Sequence, residues 1–207
     1  MQKQTFFVTG ISTEVGKTVA SAIITEALQA DYWKPIQAGD LENSDTHKVK
    51  ALISNEKTVF HPSAFKLKTP MSPHASAEID GVKIISTELK APQPDNNLVI
   101  EGAGGLLVPI SDTETILDLI KPDYKVIVVS RHYLGSINHT LLTIEKLKQS
   151  GKAVFGILFS GAEHKSTESI IAKMSGVNIL GRIDEEAYFD KEVVQKYAGL
   201  LRKQFAP

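Results

Sequence analysis

The apolar run Phe6-Phe7-Val8 passes through Thr9 into a glycine-bounded loop, Gly10-Ile11-Ser12-Thr13-Glu14-Val15-Gly16, and then into Lys17-Thr18 at the head of a helical pattern. Strand, glycine loop and helix in this order leave the chain little choice of local fold. The loop N–H groups and the first turn of the helix converge on one point, where phosphate oxygens satisfy them. Lys17 adds a point charge, and the Thr18 hydroxyl adds a ligand for magnesium. The loop is one residue longer than the common pattern, because Gly10 and Gly16 enclose five residues and Ile11 stands where the first glycine is expected. The flanking strand and helix supply the context that gives the spacing its meaning. The chain is therefore expected to work with ATP or a related nucleotide.

Beyond residue 30, short runs rich in Val, Ile and Phe alternate with segments whose apolar residues recur at helical spacing, which predicts an α/β fold on a mostly parallel sheet with helices on both faces. Strands are expected at Thr5–Thr9, Tyr32–Lys34, Leu98–Glu101, Val126–Ser130, Val154–Phe159 and Asn178–Leu180. Lys17–Gln29 places Ala20, Ile23, Ile24, Ala27 and Leu28 on one broad helix face, and Ile137, Leu141, Ile144 and Leu147 form a similar stripe. Residues 55–97, punctuated by five prolines, read as loops with short helices. Glu192–Gln204 reads as an amphipathic covering helix. No internal repeat appears, and residues 1–207 are expected to form a single domain.

Composition narrows the function. A formal net charge of -1 offers no field for nucleic acid or an anionic membrane, so small molecules or a second copy of the chain are the expected partners. The absence of cysteine removes disulfides, thiolate nucleophiles and sulfur-bound zinc, and points to a cytoplasmic protein. No apolar run reaches the roughly 18 residues of a spanning helix, and neither an export signal nor a membrane anchor is expected. The histidines are scattered in separate turns, without the spacing of a zinc pair.

In an open parallel sheet the ligand sits at the carboxyl ends of the strands. Lys34 closes the second expected strand, where it can steady charge that builds during phosphoryl transfer. Glu101 ends Leu98-Val99-Ile100 and opens the loop Gly102-Ala103-Gly104-Gly105. A carboxylate there can hold magnesium directly or through water, and the glycines admit a ligand to the backbone. Asp45, in Asn43-Ser44-Asp45-Thr46, is either a second carboxylate of the site or part of a helix cap.

Together, Thr13-Glu14-Val15-Gly16-Lys17-Thr18, Lys34-Pro35-Ile36, Asn43-Ser44-Asp45, Ser72-Pro73-His74, Glu101-Gly102-Ala103-Gly104-Gly105 and Leu134-Gly135-Ser136-Ile137-Asn138-His139 resemble, in order, the motifs of the dethiobiotin synthetase family. The resemblance spans most of the chain. It implies a P-loop NTPase fold of the deviant group and an ATP- and Mg2+-dependent closure of 7,8-diaminopelargonic acid and carbon dioxide into a cyclic urea. By this likeness Glu14, Val15, Gly16, Lys17, Thr18, Val19, Asp45, Glu101, Gly102, Ala103, Gly104 and Ser160 contact the nucleotide and its metal, with Thr18, Asp45 and Glu101 around magnesium. Lys34, Lys17 and Thr13 serve catalysis. Substrate falls to Thr13, Lys34 and Ala38, and to Gly135, Ser136, Ile137 and Asn138, which in the family grip the carboxylate tail across a homodimer interface.

The chain departs from that pattern in four places. Ser160 stands where the family has a base-reading asparagine, Asp184 where it commonly has proline, and Ala38 where some members have a hydroxyl residue. Arg131 belongs to a Ser130-Arg131-His132-Tyr133 run that the pattern does not contain. Loosened base selectivity is expected. A related amide-forming ligase is disfavoured because a glutaminase partner domain needs a cysteine, and a partitioning ATPase because Ile11-Ser12-Thr13 carries no early signature lysine. A GTPase is disfavoured by the lack of its Asp-x-x-Gly and Asn-Lys-x-Asp motifs.

Overall fold

Phe6, Phe7 and Val8 are all buried, and a strand apolar on both faces must lie inside a sheet covered on both sides. Each such side chain contributes about 1.5–3 kcal/mol relative to exposure. The computed structural model describes residues 3–205 and places this segment at the centre of the sheet. The chain order is β1 (Thr5–Gly10), α1 (Lys17–Leu28), β2 (Asp31–Trp33), β3 (Ile36–Ala38), α2 (Asp45–Leu52), β4 (Phe60–His61), β5 (Phe65–Leu67), α3 (Pro73–Ile79) and β6 (Leu98–Gly105). It continues with β7 (Lys125–Arg131), α4 (Ser136–Gln149), β8 (Ala153–Ser160), α5 (Lys165–Ser175), β9 (Ile179–Ile183) and α6 (Lys191–Leu201). Seven strands form a parallel sheet in the order β4-β2-β6-β1-β7-β8-β9, and β3 pairs with β5 in a separate two-stranded ribbon. No described helix is long and apolar enough to cross a membrane.

The α/β expectation holds, with local corrections. β2 ends at Trp33, one residue short of Lys34. Glu101 is inside β6, not at its tip, because the glycine segment runs on as strand to Gly105, which pairs with Gly10 after an irregularity in register. Two residues of β1 span the distance that four residues of β6 cover, so β6 bulges beside the phosphate-loop candidate. Residues 55–97 do hold loops and a short helix, and also the short strands β4 and β5, which sequence missed. The tail helix starts at Lys191 and passes into a 3-10 turn at Arg202–Phe205.

α1 packs against α2 and α6, while α4 packs against α5, β7 and β8. Phe6 meets Phe155 and Phe205 edge-on, with both ring centroids at 5.3 Å, tying the terminal turn to the central strand. α1 is buried on more than its expected face: Ser21, Ala22, Thr25 and Glu26 are also enclosed, since α2 and α6 cover the far side. The α4 stripe is displaced as well. Ile144 and Leu147 are buried, but Ile137 is exposed, and Ser136 and Thr140 take the inner positions of the first turn. The cause is polar: Thr140 Oγ1 donates to the Ser136 carbonyl and sits 2.8 Å from Ser130 Oγ, a bonded pair that fills the contact with β7.

Candidate functional site

The loop between β1 and α1 is shaped by backbone that most residues avoid. Gly16 has φ of +90 at the helix N-cap, and a Cβ there would lie 2.8 Å from Ser160 Oγ. Glu14 has φ of 58, a left-handed conformation that costs a non-glycine residue about 1 kcal/mol or more. Left-handed backbone just before a helix N-terminus turns successive N–H groups toward one point, the geometry of an anion cradle. Lys17 reaches back along the loop, its Nζ donating to the Ser12 carbonyl at 3.0 Å.

Three elements bring charge to this loop. Strand β2 delivers Lys34, which is 3 % exposed. β6 delivers Glu101, at 1 %, and the first turn of α2 delivers Asp45. Lys34 Nζ lies 2.7 Å from Asp45 Oδ2 and 3.0 Å from Glu101 Oε1, and donates also to the Gly102 carbonyl at 3.1 Å. Thr18 Oγ1 donates to Glu101 Oε1 at 3.0 Å. The two readings of Asp45 separate here, because Ser44 is the N-cap and exchanges capping hydrogen bonds with His47. Asp45 occupies the first helical position, its N–H held by Gln37 Oε1 at 3.2 Å and its carboxylate on Lys34.

Two ammonium groups and two carboxylates cancel, which lets so much charge exist out of water. Burial works against the Lys34 ammonium, but Glu101 and Asp45 outweigh it and raise its pKa. For Asp45, burial alone would raise the carboxyl; Lys34, with Lys48 and the Thr18 hydroxyl, pulls it below its ordinary value. Lys17 has no such close anion. Burial, then repulsion from Lys34, lowers it to about 8. An anion arriving beside Lys17 meets a poorly compensated charge.

Sequence reasoning missed Tyr32 and Gln37. Fully buried Tyr32 donates its hydroxyl to Glu101 Oε2 at 2.8 Å, so Glu101 is fixed at both oxygens. The available signal was its position two residues before Lys34, on the same side of the strand. Gln37 Nε2 donates to the Gly39 carbonyl, so its oxygen faces Asp45.

A cleft of about 770 Å³ opens over this cluster, lined by Thr13, Glu14, Gly16, Lys17, Thr18, Val19, Lys34, Gln37, Ala38, Asp45, Glu101, Ala103, Gly104 and Arg131, and closed on one side by Pro70–Pro73. Val15 is buried beneath the loop, and Gly102 packs against Phe7 and Ile116. Ser160, at the end of β8, abuts Gly16. Asp184 is engaged by Arg182 at 2.8 Å, and Arg131 crosses from β7 to Glu185 at 3.1 Å. Gly135, Ser136, Ile137 and Asn138 lie outside the cleft lining of the single chain. Ser136 is buried there, while Gly135, Ile137 and Asn138 are exposed beside the fully exposed Leu134. The donor set of Thr18, Asp45 and Glu101 is all oxygen, the chemistry a hard divalent cation such as magnesium prefers.

A family model described as an AAA domain matches residues 4–193. The chain is 61% identical over 201 residues to the ATP-dependent dethiobiotin synthetase BioD of Christiangramia forsetii, covering 97% of each chain. It is 48% identical over 195 residues to the protein of the same name from Cytophaga hutchinsonii, covering 93% of this chain and 94% of that one. Among solved structures, the cell division ATPase MinD of Pyrococcus furiosus is similar at a TM-score of 0.62 and 13% identity, with 98% of this chain and 99% of that chain covered. The septum site-determining protein MinD complexed with Mg-ADP from Pyrococcus horikoshii is similar at a TM-score of 0.60 and 14% identity, with 99% and 94% covered. At such identities the structural likeness speaks for the fold alone, that of P-loop NTPases.

Proposed function

The chain belongs to the ATP-dependent dethiobiotin synthetase family, and from that membership we propose that it converts 7,8-diaminopelargonic acid, carbon dioxide and ATP into dethiobiotin, ADP and phosphate, a step of biotin synthesis. The observation that carries this reading is the convergence of Lys17, Thr18, Lys34, Asp45 and Glu101 on one cleft. One amine of the substrate takes up carbon dioxide as a carbamate. A carbamate oxygen then attacks the γ-phosphorus, ADP leaves, and the second amine attacks the activated carbonyl carbon to expel phosphate. Each intermediate is anionic, and the chain answers with charge held in place and no covalent enzyme adduct.

Lys17 and Lys34 flank the carbamate and the migrating phosphoryl group, and Thr13 lines the same wall. The backbone from Glu14 to Val19 cradles the triphosphate, with Ala103 and Gly104 closing the opposite side. Thr18, Asp45 and Glu101 would hold Mg2+, which neutralises phosphate charge when bound. The test is a turnover assay with labelled bicarbonate, diaminopelargonic acid, magnesium and ATP, with the product identified by mass. A labelled cyclic urea is expected, and phosphate release that needs neither the diamine nor bicarbonate would sink the proposal in favour of a nucleotide switch.

Residues 135–138 reach substrate only if a second chain supplies them, so the working form is a homodimer in the cytoplasm. Support comes from Leu107, Leu134, Ile137 and Leu142, large apolar side chains left exposed in one chain. Sedimentation is expected to show a dimer at assay concentration, and full activity in a monomer would refute the shared site. At the base end, Ser160 is turned against Gly16 and offers no amide. Turnover with CTP and GTP is accordingly expected within about tenfold of ATP, since one missing hydrogen bond is worth roughly 0.5–1.5 kcal/mol. Strict ATP dependence would show that other groups read the base.

A further inference from the structure

Behind the segments of β2 and β6 that lead to Lys34 and Glu101 lies a second cavity, of about 260 Å³, which shares no lining residue with the catalytic cleft. Strand periodicity separates the two: Lys34 and Glu101 line the cleft, whereas their neighbours Trp33, Pro35 and Ile100 line the cavity. One wall is apolar, formed by Trp33, Ile100, Phe7 and Leu119, and Ser86 and Thr87 add polar groups to the other side. Two features set it apart from a packing defect. Tyr124 lines it with a ring that is largely buried, and its hydroxyl is open to the cavity's solvent and, among the described residues, takes no protein hydrogen bond. Burial, with Asp123 adding to it, pushes that hydroxyl up to about 12, so it stays a donor at working pH. At the rim, Lys90 and Lys121 are exposed, and among the described residues neither forms an ion pair. The lining carboxylate, Asp118, is engaged at Oδ2 by the N–H and hydroxyl of Thr115. With two lysines against the one carboxylate of Asp118, the small cavity keeps a net positive rim, and an apolar wall and a free hydroxyl donor beside it suit a small amphipathic anion.

We propose that this cavity binds a medium-chain aliphatic carboxylate, its tail against Trp33 and Ile100 and its head drawn by Lys90, Lys121 and the Tyr124 hydroxyl, and that occupation tunes turnover by shifting Trp33 and Pro35 on either side of Lys34. The coupling half rests on the dethiobiotin synthetase reading, and the binding half does not. Trp33 is the single tryptophan of the chain, so its emission reports occupancy directly. Titration of the full chain with octanoate is expected to give a saturable change in that emission. The double substitution Lys90→Glu and Lys121→Glu weakens binding by about tenfold or more, as does replacing octanoate by 1-octanol, because the charged partner is lost. Ala91→Phe fills the cavity and removes the response. No saturable response, equal binding of octanoate and octanol, or a response unchanged in the rim variant would overturn the site. Should Ala91→Phe not fold, the rim variant alone decides, since both lysines are on the surface.

Saturating octanoate is expected to change kcat at least about twofold in the wild-type chain and not in the rim variant, the scale of a weak allosteric coupling. An unchanged kcat at full occupancy, or the same change in the rim variant, overturns the coupling. Absence of any cyclic urea product without octanoate refutes the functional reading and leaves the fluorescence result standing.

Discussion

Lys34→Ala is expected to lower turnover by at least about 10²–10³-fold, the loss that follows removal of one preorganised donor to developing negative charge. The structure adds a second consequence. The Lys34 ammonium lies between Asp45 and Glu101, 2.7 and 3.0 Å away, in a setting where Glu101 is 1 % exposed. Without it the two carboxylates face one another across a dry space, and taking one partner from a buried pair costs about 3–5 kcal/mol. The variant should therefore melt earlier in the absence of divalent ions. Magnesium should restore much of the melting temperature, because two carboxylates and the Thr18 hydroxyl are ligands in search of a cation, and should not restore turnover. Calorimetry with and without magnesium, beside a phosphate-release assay, separates the two roles. Activity within tenfold of the wild type would remove Lys34 from the chemistry.

The second large effect lies away from the cleft. Glu26 is enclosed on α1 and accepts from Ser54 N and Oγ at 2.9 and 2.7 Å, and from Asn55 N and Nδ2 at 3.2 and 3.0 Å. It clamps the central helix to the turn that follows α2, the helix that presents Asp45. Glu26→Ala leaves four donors without their acceptor and is expected to cost about 3 kcal/mol. For a domain of this size that lowers the melting temperature by roughly 6–12 °C. Burial opposes the charged carboxyl, yet the hydrogen bonds from Asn55 and Ser54 win and hold it below its ordinary value of 4.5. A depressed carboxyl contributes stability that is fully present above 4.5 and fades as pH falls through the folded value. Thermal melts of the wild type should thus lose stability on acidification faster than those of Glu26→Ala. Parallel acid slopes would show that the charge of Glu26 is not what the clamp uses.

What sequence made legible follows from how strongly each segment is constrained. Phe6-Phe7-Val8 could be placed because burial on both faces leaves no other position, and Lys34 and Glu101 because apolar runs lead directly to them. The strands β3, β4 and β5 are only two or three residues long, too short to carry a period; β4 forms because β2 offers an open edge, and β3 and β5 because each finds the other. Gly102–Gly105 read as a loop on composition. Pairing of Gly105 with Gly10 makes it strand, a long-range fact that no local propensity encodes. Asp45 was ambiguous for the converse reason: Ser44 and Asp45 are both good caps, and only the position of Lys34 decides which one caps. The inward turn of Ser136 and Thr140 was hidden because a threonine whose hydroxyl is satisfied by Ser130 on β7 and by the Ser136 carbonyl looks, in sequence, like part of a solvated face.

The close approach of Gly16 to Ser160 places two distant positions of the chain under one steric rule. With 2.8 Å between the serine oxygen and the point where any β-carbon on residue 16 would stand, residue 16 cannot gain a side chain while Ser160 keeps its present conformation. A longer amide at position 160 must point its added atoms away from the loop, and a larger residue at 16 requires position 160 to shrink or retreat. The end of β8 is thereby mechanically tied to the β1–α1 loop, and any side chain introduced at residue 16 has to be accommodated across the sheet at residue 160.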